Sequence, residues 1–85
     1  MQSKMPPAKG KKSPAAVKFG SRIRELRHAK EWTQEDLAER SGMNVVQISH
    51  LEGGRNEAKI STILRLAKAF GIPPSHMLLS FDKRK

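Results

Sequence analysis

Between residues 32 and 52 this chain states one helix-start signal twice, on either side of a glycine. Thr33 is a good N-cap, Asp36 stands three residues on as its box partner, and Trp32 before the cap matches Leu37 at the fourth helical position. Asn44 repeats the arrangement with Gln47 as box partner and with Met43 facing Ile48. Gly42 sits between the two, where a left-handed residue ends one helix and turns the chain sharply. Ala38 faces that turn, and a larger side chain there would push the second helix away. Leu37, Ala38, Gly42, Ile48 and Leu51 thus satisfy five separate demands of a helix-turn-helix at fixed offsets.

A chain of 85 residues supports one small domain, whose modest core must be packed efficiently. It has no cysteine, so neither disulfides nor thiolate metal sites can staple it. No apolar run approaches the roughly 20 residues of a membrane span, and no signal-peptide core is present. A soluble, cytoplasmic, nucleoid-associated protein is expected, with no membrane partner.

The net charge of +9 is placed mostly at the ends. Lys4, Lys9, Lys11, Lys12 and Lys18 meet no acid within residues 1–18, and Lys83, Arg84 and Lys85 outnumber Asp82 in the 82–85 tail. Residues 19–81 carry only +2. Such a balance suggests a polyanionic partner, while charge alone leaves nucleic acid, acidic membrane and simple solubility open. Residues 1–16, rich in Pro, Gly, Ser and Lys, are expected to be a disordered basic arm, with DNA phosphates as its alternative use.

Residues 17–81 are expected to form the domain. The first helix is predicted over 17–30, with Phe19, Ile23, Leu26 and Lys30 as its inward stripe and Arg27 on the flank. A second helix is predicted over 34–40 and a third over 45–52, stopped by Gly53 and Gly54. A fourth follows over 60–70, with Ile60, Ile63, Leu66, Ala67 and Phe70 on one face and Gly71 closing it. Pro73 and Pro74 open a short fifth helix, about 74–79. Nothing reads as a strand, so the fold class is all-α with five helices.

Projecting the third helix at about 100° per residue, with Ile48 and Leu51 inward, turns Val46 outward. Ser49 and His50 share that side, and Val45 lies at its edge. Exposed single valines are ordinary, but a valine pair here has a specific use, since its methyls pack on thymine methyl groups in a major groove. His50 can bond a guanine or a phosphate, and Ser49 a phosphate. Gln47 is open between box partner and base reader. Gln34, at the positive end of the second helix, suits a phosphate clamp, and Arg55 is a second candidate. Thr33 and Asn44 are caps first, placed where phosphate can also be met. Arg27 and Glu52 are oppositely charged flank residues, expected to tie the third helix to the first as an ion pair.

The runs Phe19-Gly20-Ser21-Arg22-Ile23-Arg24-Glu25-Leu26-Arg27, Thr33-Gln34-Glu35-Asp36-Leu37-Ala38, Ser41-Gly42-Met43, Ile48-Ser49, Leu51-Glu52 and Ala67-Lys68-Ala69-Phe70-Gly71 resemble the Cro/phage-repressor (XRE-type) DNA-binding family. The resemblance covers residues 17–80. It implies a compact, lambda-repressor-like five-helix domain that binds operator DNA as a homodimer and regulates transcription. By position, Gln34 is similar to the family's phosphate-binding glutamine, Val45, Val46 and His50 to its base-reading positions, and Arg27 and Glu52 to its scaffold ion pair. Within the family the compact length looks most like controller proteins of restriction–modification systems. The alternative is an antitoxin that binds a cognate toxin and autoregulates its operon. Lys59 where a serine or threonine is usual, and Gly53-Gly54 after the third helix, depart from the pattern.

Met77, Leu78, Leu79 and Phe81 supply more apolar surface than one short helix buries, which points to a dimer interface. Two recognition helices related by a two-fold axis would lie about 34 Å apart and require a roughly palindromic site. No cofactor is expected, nor an enzyme: His28, His50 and His76 are far apart, and no glycine-rich phosphate loop occurs.

Overall fold

A computed structural model describes residues 13–81, with side chains to residue 78. The elements run α1 (Pro14–Ala29), α2 (Gln34–Ser41), α3 (Val45–Glu52), α4 (Ile60–Phe70) and a C-terminal 3-10 helix (Pro74–Phe81). Among the described residues there is no strand, in line with the all-α expectation. The fifth element is a 3-10 helix, where a further α-helix was expected. Its first turn is closed by the His76 N–H donating to the Pro73 carbonyl at 2.9 Å. The Arg22 guanidinium then donates twice to the His76 carbonyl, at 2.9 and 3.1 Å, engaging an oxygen that an α-helix would use internally.

The five largest fully buried side chains are Ile23, Leu37, Ile48, Leu66 and Met77. Each comes from a different element, so every element is anchored by one side chain in a common core. Burying a side chain of this size contributes about 1.5–3 kcal/mol, and in so short a domain no anchor is redundant. Phe19, Ala38, Leu51, Ala67 and Phe70 complete the buried cluster. Trp32 seals one side of it, stacked on Phe70 with ring centroids 5.5 Å apart and the Arg40 guanidinium 4.4 Å from its own centroid.

α1 starts three residues before the expected 17. The Ser13 hydroxyl accepts the Ala16 N–H at 3.0 Å, and Pro14 holds the first helical position, where its fixed φ fits and its missing N–H costs nothing. Residues 13–16, expected within the arm, thus form the cap and first turn of α1, and Ala16 is buried. The remainder of the arm, 1–12, and the 82–85 tail lie outside the described residues.

Gly20 marks the closest approach of two helices. A Cβ built on it would stand 2.2 Å from the Leu51 carbonyl oxygen and 2.8 Å from that of Glu52. The end of α3 therefore lies directly on the backbone of α1.

Two expected placements are corrected. Ile60 is 76% exposed, because at about 100° per residue it falls at the margin of the arc marked by Leu66, Phe70 and Ile63, on the side of Leu64. Met77 is fully buried and so is a core residue of the monomer, unavailable to a dimer interface. Leu78 is 38% exposed, and the side chains of Leu79 and Phe81 lie outside the described residues.

Candidate nucleic-acid interface

Both cap signals form as complete boxes. The Thr33 hydroxyl accepts the Asp36 N–H at 3.0 Å while the Asp36 carboxylate accepts the Thr33 N–H at 2.8 Å. The Asn44 side-chain oxygen accepts the Gln47 N–H at 2.8 Å, and the Gln47 side-chain oxygen accepts the Asn44 N–H at 3.1 Å. The backbone and hydroxyl bonds from Thr33 hold the Asp36 carboxyl below its ordinary range. Between the boxes Gly42 takes φ of 73°, and the Met43 N–H returns to the Ala38 carbonyl at 3.0 Å. The turn thus reverses the chain in few residues without a side chain entering φ > 0.

The orientation of α3 is fixed by one carboxylate. Glu52 is buried at its C-terminal end. It accepts from Arg27 Nε at 2.6 Å, Arg27 Nη2 at 2.9 Å and Gln34 Nε2 at 3.0 Å, so α1, α2 and α3 meet at its two oxygens. Arg27 Nη1 also donates to the Trp32 carbonyl at 2.8 Å, binding in the α1–α2 connection. Arg24 adds a bond to the Glu52 backbone carbonyl at 3.2 Å, and its Nε lies 3.6 Å from the carboxylate. Burial pushes the Glu52 carboxyl up, but the bonds from Arg27 and Gln34 and the charges of Arg27 and Arg24 outweigh it and hold the group below the usual glutamate range. The bond to Glu52 raises Arg27 in turn, against the effect of burial.

With Ile48, Leu51 and Glu52 buried, the opposite side of α3 faces outward. Val46 is 58% exposed, and Gln47 and Ser49 are exposed beside it. The two valines are not equivalent, because Val45 is partly buried against the core. His50 is half-buried on the same side, and Arg55 is exposed just past the helix, its N–H bonded to the His50 carbonyl at 3.0 Å.

Counting hydrogens shows what the polar residues have left to offer. Gln34 Nε2 spends one hydrogen on Glu52 and keeps another, while Gln47 uses its oxygen in the box and keeps its whole NH2 group. Asn44 likewise uses its side-chain oxygen as an acceptor and retains its amide hydrogens as donors, while the Thr33 hydroxyl is engaged with Asp36. What remains at the starts of α2 and α3 is donor capacity, which suits an anion.

The structure adds residues that sequence reasoning missed. A cleft of about 430 Å3 runs beside α3, with Val46, Gln47 and His50 on one wall and Asn56, Glu57, Lys59 and Thr62 on the other. The second wall belongs to the connection and first turn of α4, where helical periodicity gives no signal. Lys59, at the N-cap of α4, is exposed and among the described residues takes part in no salt bridge, so its ammonium is available to the cleft. Arg24 was also missed, although its place three residues before Arg27 puts both on neighbouring positions of one helix side. Among the described residues no group of three or more His, Asp or Glu is placed to hold a metal ion, and no helix is long and apolar enough to cross a membrane.

A family model described as helix-turn-helix domain matches residues 18–78. The chain is 40% identical over 64 residues to the HTH-type transcriptional regulator y4dJ of Sinorhizobium fredii, covering 75% of this chain and 83% of that protein. It is 33% identical over 66 residues to the HTH-type transcriptional regulator Mb0023 of Mycobacterium bovis, covering 74% of this chain but only 26% of that longer protein. Among solved structures, the restriction-modification controller protein C.AhdI from Aeromonas hydrophila superposes with a TM-score of 0.71 at 42% identity, over 73% of this chain and 94% of that one. The controller protein C.Esp1396I gives 0.76 at 25% identity, over 84% and 92%. With its paired capping boxes, its Gly42 turn and these relatives, the chain belongs to the helix-turn-helix domain family of transcriptional regulators.

Proposed function

We propose that this protein binds operator DNA in a sequence-specific manner as a homodimer, on a roughly palindromic site, and acts as a controller of a restriction–modification system. The observation that carries the reading is the outward face of α3: an exposed Val46, flanked by Gln47, Ser49 and His50, on a helix whose inward side is fixed by Glu52. Val46 and His50 read base edges, with Val45 at the margin and Gln47 contributing its free amide. Gln34, Thr33, Asn44, Ser49 and Arg55 meet phosphates. The controller assignment is supported by the likeness to C.AhdI over nearly all of that chain.

The test is selection of bound duplexes from a random pool at two salt concentrations. A symmetric enriched site at both supports the reading, and salt-dependent binding with no sequence preference overturns it. On the selected site, Val46→Ser should cost about 1–2 kcal/mol, roughly five- to thirtyfold, at one base step and leave non-specific affinity unchanged. A uniform loss on every duplex would instead place Val46 outside base readout.

The dimer face runs through α4 and not through Met77. Ile60 and Leu64 stand one turn apart, 76% and 49% exposed. Nearby, Leu78 and Ile63 line a shallow apolar groove of about 190 Å3. The double substitution Ile60→Glu/Leu64→Glu should weaken self-association tenfold or more, read by sedimentation, with helicity unchanged. A dimer that persists at the same concentrations would remove this face from the interface.

A further inference from the structure

We infer that Glu57 is an affinity-limiting carboxylate in the DNA-facing cleft, an inference that rests on the DNA-binding reading above. Glu57 is the one acid among the residues lining that cleft. It shares the wall opposite α3 with Asn56, Lys59 and Thr62, all three of which carry donors. Its side chain is exposed, and among the described residues it takes part in no salt bridge. The buried and the boxed acid, Glu52 and Asp36, are by contrast occupied by Arg27, Gln34 and Thr33. Glu57 therefore has no such structural bond to account for it.

A cleft between a recognition helix and the following connection is where a strand of DNA backbone would run when the helix enters a major groove. A carboxylate on its wall meets phosphates and cannot donate to them, so it opposes binding whatever the base sequence. The effect is electrostatic and acts over a Debye length, about 10 Å at 0.1 M salt. Residues 19–81 carry a net charge of only +2, so a single negative charge at the contact is a large fraction of what the domain offers. In a dimer the carboxylate acts twice per site. The consequence is a protein that occupies DNA only once its concentration has risen, with its preference among sequences left to α3.

The test compares wild type, Glu57→Gln and Glu57→Lys on the selected site and on an unrelated duplex, across a salt series. Glu57→Gln should tighten binding to both duplexes about three- to tenfold at low salt and leave their ratio unchanged. Glu57→Lys should tighten both further and steepen the salt dependence. Thermal unfolding of the three proteins should agree, because Glu57 is exposed. Unchanged affinity in both variants overturns the inference, and so does a loss confined to the selected site, which would make Glu57 a base reader. Wild-type protein that binds neither duplex would refute the DNA-binding reading itself, a result distinct from either of these.

Discussion

Gly20→Ala should destabilise the domain by about 2–3 kcal/mol, which lowers the melting temperature of a chain this size by about 10–20 °C. The added methyl would lie 2.2 Å from the Leu51 carbonyl oxygen and 2.8 Å from that of Glu52. Both are backbone atoms, so no rotamer change relieves the clash, and α1 and α3 must move apart. The same displacement would stretch the Arg27–Glu52 bonds, which sit at 2.6 and 2.9 Å. Gly20→Val should leave no cooperative transition at all. Gly71→Asn is the control: its φ is 73° and a Cβ there meets nothing within 4 Å, so asparagine, which tolerates the left-handed region, should shift the melt little. Circular dichroism melts decide the matter, and a Gly20→Ala protein within a few degrees of wild type would show that the two helices are not in close contact.

The Arg27–Glu52 pair should give the second large effect. Arg27→Met strands a buried carboxylate that keeps only Gln34 and the half-exposed Arg24, and should cost about 3–5 kcal/mol. Arg27→Met/Glu52→Leu removes both charges and should cost less than either single change. Equal damage from the double variant would mean that the pair's worth lies in packing and not in mutual compensation. Acid unfolding gives a separate readout. Glu52 is held below the usual glutamate range, so its contribution is fully present above the unfolded value, about 4.3, and is lost as pH falls through the lower folded value. Wild type should therefore lose stability steeply below about pH 4, and the double variant should show a shallower acid limb.

The parts of the fold legible in the sequence were those governed by local chemistry. Thr33, Asp36, Asn44 and Gln47 bond within three residues of one another, so their spacing alone revealed both boxes. The limits of α3 and α4 followed from Asn44, Gly53 and Gly71 in the same way. Ser13-Pro14 is an equally local signal, masked by the lysines and prolines of the stretch around it. What could not be read was whatever depends on a partner element distant in sequence. Gly20 resembles any tolerated helix glycine until α3 is laid against it. Met77 has the same hydrophobicity as a surface methionine, and its burial depends on where the 3-10 helix folds back. Ile60 belongs to the apolar stripe by count and misses the core by its angle. In the candidate interface the α3 side was legible from helical projection, whereas Asn56, Glu57, Lys59 and Thr62 required the path of an irregular connection.

The eight residues of α3 make a helix about 12 Å long, too short to persist in water by itself. Its pose is set chiefly by Glu52, Ile48 and Leu51, with Val45 packed at the margin, and none of these overlaps with Val46, Gln47 or Ser49. Lettering on a sign can be repainted while the post stays in the ground. On the proposed reading, descendants of this chain would acquire new target sequences by exchanging three or four outward side chains, with little penalty to the scaffold that carries them.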